Sequence, residues 1–198
     1  MATIVDRNKK ILTRVRAKLG KLGTNEIQND DIYDNANIVQ DDMLQSMKCV
    51  EKIFKIYLKV NKTEYEIEHK NSLLIKKIIP SWEGDIEYLP DWEDSDLVSS
   101  SSENPLYYHI FDDKFMIVPA PADNTTYITI WAFQTSVINE MDDDFEPETP
   151  KSIDNVLVLG ICAEFDSSFI PLYEMEKEKK KSLFHNKTTA NKHPNPTW

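Results

Sequence analysis

The apolar residues change period twice along the chain, and each change marks an element boundary. Ile11, Val15, Leu19 and Leu22 recur at helical spacing, with Leu12 alongside, and predict a helix over residues 7–22. Arg7, Lys9, Lys10, Arg14, Arg16, Lys18 and Lys21 fill the other positions. They read as a solvated face or as a surface for docking on an acidic partner. Gly20 and Gly23 are suited to end the helix. Ile32, Ala36, Val39, Met43, Met47 and Val50 predict a second helix reaching about residue 52. Asp30 or Asp31 is placed to cap it, and Asp34, Asp41 and Asp42 follow in its N-terminal half, where the dipole favours acids. Met43 and Met47 read as core filling.

The period then falls to two. Phe54, Ile56, Leu58 and Val60 alternate with Lys55, Tyr57 and Lys59, and Asn61-Lys62-Thr63 supplies a turn. Tyr65 and Ile67 alternate with Glu64, Glu66 and Glu68, so the stretch predicts a hairpin with one wet face, lysines opposing glutamates. Leu73 to Ile79 is another apolar run, stopped by Pro80. Residues 81–106 are acidic, serine-rich and interrupted by proline, which predicts a loop excursion. Its Trp82, Tyr88 and Trp92 either fold back onto their own sheet or contact a neighbouring subunit.

Strand patterning resumes at Tyr107 to Phe111, turns at Asp112-Asp113, and continues from Phe115 to Val118 until Pro119 and Pro121 remove the donors a ladder needs. After turn residues Asp123 and Asn124, Tyr127, Thr129, Trp131 and Phe133 face one way and Ile128, Ile130 and Ala132 the other. Both faces are largely apolar, which predicts a strand covered on both sides. Beyond the acidic loop MDDDFEPE, Thr149 reads as an N-cap with Pro150 at the first helical position. Ile153, Val156, Leu157, Leu159, Ile161, Cys162 and Phe165 predict a helix buried on most sides. Asp166, Ser167, Ser168 and Pro171 predict a kink or break, then a helix that becomes fully charged. Residues 187–198 are polar, contain Pro194 and Pro196, and end in Trp198. They predict an extended tail, with these three residues as candidates for capture by another chain.

Composition narrows the classes. The 198 residues are 40% hydrophobic and 29% charged, enough for a core. A formal charge of −11 argues against non-specific binding to nucleic acid or an anionic membrane. No apolar run approaches the ~20 residues of a membrane span, and the first residues lack the apolar region of a signal peptide. Cys49 and Cys162 lie in apolar helical patterns and read as buried free thiols of a reducing compartment.

Catalytic chemistry is hard to assemble from these residues. His69, His109, His185 and His193 lack zinc-ligand spacing, and the four glycines form no phosphate-cradling loop. There is no G-x-S-x-G elbow. The cluster Asp142, Asp143, Asp144, Glu146 and Glu148 offers oxygen ligands for a hard cation but lacks the EF-hand pattern. The expectation is therefore no enzyme, no cofactor and no metal. Two alternatives stay open: a metal-dependent enzyme, such as a phosphodiesterase, using the Asp142–Asp144 loop, and a regulatory protein binding one partner through the aromatic excursion.

The order of strand, P-x-P turn, aromatic strand, D-D loop, T-P helix start and a helix containing Gly160 and Ala163 resembles the head-to-tail adaptor proteins of tailed bacteriophages. The resemblance covers roughly residues 25–185. The reading of the residues agrees on an α+β fold: a helical bundle from N- and C-terminal helices with an inserted antiparallel β region at about 53–134. Residues 1–186 then make one adaptor-like domain, followed by the tail. The resemblance implies a structural virion protein in a ring, commonly of twelve copies, between the portal protein and the tail or further ring proteins. It places the protein in the virion, and in the host cytoplasm during assembly. The acidity would let DNA pass through the channel without sticking. The long 81–106 excursion departs from the family pattern.

Overall fold

The computed structural model describes residues 4–20, 27–89, 104–111 and 114–190. The architecture is α+β: two N-terminal helices, a β region, then two C-terminal helices. The chain divides into two compact units, one formed by residues 1–50 with 134–198, the other by residues 51–133.

In the helical unit, α1 spans Ile4–Leu19 and α2 spans Asn29–Met47. α1 buries Ile11, Leu12, Val15 and Leu19, as the spacing predicts, and Gly20 ends it at φ 60°. Leu22 and Gly23 lie outside the described residues. In α2 the capping position falls at Gln28, with Asp31 reaching back to accept its backbone N–H at 3.0 Å. Lys48 closes α2 in the left-handed conformation, five residues short of the predicted end. After a 3₁₀ turn at Lys151–Ile153, α3 spans Asp154–Phe165 and packs against α1, α2 and α4 (Ile170–Ala190). Every residue of α3 from Val156 to Cys162 is buried, so α3 is the central helix of this unit.

The break before α4 falls where proline places it. Asp166 accepts from the Ser168 backbone N–H, a 3₁₀ turn follows, and Pro171 sits in the first turn of α4, where no donor is lost. α4 continues to Ala190, past the residue 187 at which the sequence reading begins its tail. Gly160 lets α3 approach its neighbours. A Cβ there would collide with Val39 Cγ1 and lie 2.9 Å from Tyr173 Cε2.

In the β unit, β1 (Glu51–Tyr57), β7 (Tyr127–Gln134) and β3 (Leu73–Pro80) form one sheet in the order β1-β7-β3. The other sheet has the order β2-β6-β5-β4, from Glu64–Glu66, Lys114–Val118, Tyr107–Phe111 and Glu87–Tyr88. This corrects the predicted hairpin: β1 pairs antiparallel with β7 and β2 with β6, in different sheets. The intervening turn is closed by Tyr65, whose hydroxyl accepts from Lys59 N–H and donates to the Lys62 carbonyl at 3.0 Å. β4 runs parallel to β5, so the second sheet is mixed. Ile56, Leu58, Tyr65, Ile67, Phe115, Ile117, Ile128 and Ile130 from both sheets share one core. Ile128, Ile130 and Ala132 of β7 are fully buried, whereas its other face is only half-buried, which corrects the expectation of cover on both sides.

Candidate functional site

The acidic loop between β7 and α3 is the densest polar construction among the described residues, and helices α1 and α2 hold it from outside. Met141 buries its side chain in the helical core. Asn37 brackets the same residue: its side-chain oxygen accepts the Met141 N–H at 2.7 Å, and its amide donates to the Met141 carbonyl at 3.3 Å. Asn8 donates to the carbonyls of Asp142 and Phe145 at 2.6 and 3.0 Å. Gln40 Oε1 accepts the Glu148 N–H at 2.8 Å, and Asp41 accepts the Val137 N–H at 2.6 Å.

Arg7 is the central tie. It is only 7% exposed. Its guanidinium donates to the carbonyls of Pro147 and Thr149, both at 2.7 Å, and to Asp154 Oδ1 at 2.6 Å, with Glu146 Oε2 at 3.8 Å. The expectation of a solvated basic face therefore fails at Arg7, which lies one helical turn before Ile11 on the buried side of α1. An arginine at a core-facing helical position, four residues before an isoleucine, is the signal that marks it.

Asp142, Asp143, Glu146 and Glu148 of the loop have structural partners. Asp142 Oδ1 accepts the N–H groups of Asp144 and Phe145 at 2.7 and 2.8 Å, turning the chain. Asp143 accepts the Tyr33 hydroxyl at 2.8 Å. Burial, reinforced by Asp143, pushes the Tyr33 hydroxyl up to about 12. Glu146 pairs with Arg7 and with Lys151 at 3.5 Å. Glu148 accepts from the backbone N–H groups of Ile138 and Asn139, and from the Gln134 amide. Among the described residues, no group of three or more His, Cys, Asp or Glu side chains is placed to hold a metal ion. Thr149 corrects another expectation. Its hydroxyl is buried without a partner and caps nothing, because the 3₁₀ turn intervenes before α3 begins.

A second polar cluster joins α2 to α4. The Tyr173 hydroxyl and the Lys177 ammonium both donate to Asp42, and Lys177 also pairs with Glu174 at 2.8 Å. Burial and then Asp42 raise the Tyr173 hydroxyl far above its ordinary range. Burial works against the charge on Lys177, but its bonds to Glu174 and Asp42 outweigh it and raise its pKa. Cys49 and Cys162 are buried free thiols, each pushed up to about 11 by desolvation.

The interaction candidates of the excursion separate. Trp82 packs against the core of the β unit, the folded-back alternative. Tyr88 stays 53% exposed, tilted against Tyr108 and stacked on His109 at 5.8 Å. Trp92, Pro194, Pro196 and Trp198 lie outside the described residues. No helix among the described residues is long and apolar enough to cross a membrane. In comparisons with known proteins, the chain matches no family model and no curated protein.

Proposed function

We propose that the protein is a structural subunit of a tailed-bacteriophage virion, a head-to-tail adaptor standing in a ring between the portal and the tail. The observation that carries this reading is the construction of the acidic loop. Asp142, Asp143, Glu146 and Glu148 hold the turn and tie it to α1, α2 and its own backbone. A loop tied at Met141, Asp142, Phe145, Pro147 and Thr149 is a rigid connector between strand and helix. That suits a part that transmits contacts between rings better than a site that opens for substrate. The net charge of −11, repeated around a ring, would line a channel with repulsion towards DNA.

Electron microscopy of assembled particles, with the protein located by a tag, tests the reading. The expected result is a closed ring of copies next to the portal. A single asymmetric copy, or absence from the particle, overturns it. Hydrolysis of nucleic acid or nucleotide in magnesium or manganese, lost on Asp143→Ala, would favour the metal-dependent enzyme instead.

A further inference from the structure

Among the described residues, one face of the β1-β7-β3 sheet carries aromatic side chains that stay exposed or half-buried. The register sets Glu51 opposite Phe133, Ile53 opposite Trp131, Lys55 opposite Thr129 and Tyr57 opposite Tyr127. Side chains directly opposite share a face, and the alternate residues of β7 are the buried ones. Ile53 and Tyr57 are each 65% exposed, and Leu74 of β3 is 44% exposed. Lys55 lies 4.2 Å from the Tyr127 ring centre, and Lys76 lies 4.1 Å from that of Trp131. Among the residues of these three strands, Glu51 is the one carboxylate on this face, and it sits 3.8 Å from Lys76. An apolar surface with rings under lysines suits a ligand that is apolar at its centre and anionic around it.

The helical unit carries such a ligand at the tip of the clamped loop. Phe145 is 51% exposed, and Asp142, Asp143 and Asp144 beside it are exposed too. The backbone beneath the tip is held by Asn8 and by Asp142, so little conformational entropy remains to be lost on docking. An aromatic side chain on a fixed turn, ringed by carboxylates, is complementary to the sheet face in both shape class and charge.

We infer that the Asp142–Phe145 tip of one copy docks on the Ile53, Lys55, Tyr57, Trp131 and Lys76 face of a second copy. The two surfaces differ, so the contact is head-to-tail. Each copy bound still presents a free tip and a free face, and the contact propagates until it closes into a ring. This inference rests on the ring reading above and names the surfaces that make the ring.

Two exposed double variants test it: Asp144→Lys with Phe145→Ser on the tip, and Lys55→Glu with Tyr57→Ser on the face. Far-ultraviolet spectra and melting curves check that each is folded. In sedimentation velocity, wild-type protein is expected to form species beyond the dimer as concentration rises towards ~1 mM. Each variant alone should stay monomeric, because each has lost one half of every contact. An equal mixture of the two should form dimers and nothing larger, since one intact tip and one intact face remain. Oxidative cross-linking of an Asp144→Cys, Lys55→Cys protein should give a ladder of linked species, the native thiols being buried.

Wild-type protein that stays monomeric throughout, or either variant assembling as wild type does, overturns the inference. So does a mixture that stays monomeric. An oligothymidine bound by wild type and released by the face variant would assign the face to single-stranded nucleic acid and overturn the self-contact. A ring seen in particles that incorporate both variants normally would refute this contact and leave the adaptor reading standing.

Discussion

Replacing Arg7 by alanine is the sharpest test of how the acidic loop is held. The substitution removes three short hydrogen bonds, to the Pro147 and Thr149 carbonyls and to Asp154, together with the charge facing Glu146. The Arg7 side chain is 7% exposed and that of Asp154 20%, so the pair is substantially desolvated. Removing one partner of a buried ion pair typically costs about 3–5 kcal/mol, because the other charge is left uncompensated. The stranded carbonyls push towards the upper end of that range, at about 1–3 kcal/mol for each buried acceptor that water does not reach. At this chain length the loss corresponds to a fall in Tm of roughly 6–20 °C. The assay is thermal and urea unfolding followed by circular dichroism at 222 nm, which reports the helices of this unit. Arg7→Lys keeps the charge but not the planar fork and should give an intermediate loss. Removing the exposed Lys10–Asp6 pair on the same helix is the control and should leave the transition in place. A cost below about 1 kcal/mol for Arg7→Ala, the value of an exposed pair, would refute the picture of Arg7 as the tie of the loop.

Three further outcomes follow from packing and desolvation. Gly160→Ala should destabilise by about 1–3 kcal/mol despite alanine's better helix propensity, because the new methyl meets Val39 and Tyr173; an unchanged or raised Tm would show that the helices yield. Tyr33 is shifted from 10.0 to about 12, so the neutral hydroxyl is the form the fold favours. Its stabilising contribution is fully present below pH 10 and lost as pH rises through about 12. A titration at 295 nm should lose a late ionisation step in Tyr33→Phe, and loss of an ordinary step near pH 10 would contradict this assignment. Cys49 and Cys162, with thiols raised to about 11, should resist a disulfide-exchange reagent at pH 8 and both react in denaturant; rapid native labelling of either would contradict its burial.

Helices α1, α2 and α3 were legible in the sequence because helical burial repeats every three to four residues and is written locally. Ile11, Val15 and Leu19, or Val156, Leu157, Leu159, Ile161 and Cys162, need no knowledge of the rest of the chain to be recognised as buried. The break at Pro171 is equally local, since it depends on a missing donor. The acidic cluster was visible as composition, and the folded-back position of Trp82 was one of the alternatives that its size and polarity allowed.

Strand pairing was decided by the tertiary structure. β1 and β2 are separated by one short turn, yet their partners are β7 and β6. A period-two pattern states which face is buried but not which strand lies alongside, because the hydrogen-bonding groups are the same in every residue. The half-exposed face of β7 has the same origin, for no local pattern distinguishes a ring covered by a second layer from one covered by a lysine stem. The role of Arg7 depended on Asp154, 147 residues away, and the roles of Asp142 and Glu148 on Asn8 and Gln40. Whether a charged or polar side chain is solvated or buried is set by the partners that compensate its desolvation. Here those partners are backbone carbonyls and carboxylates brought together only when α1 and α2 close on the loop.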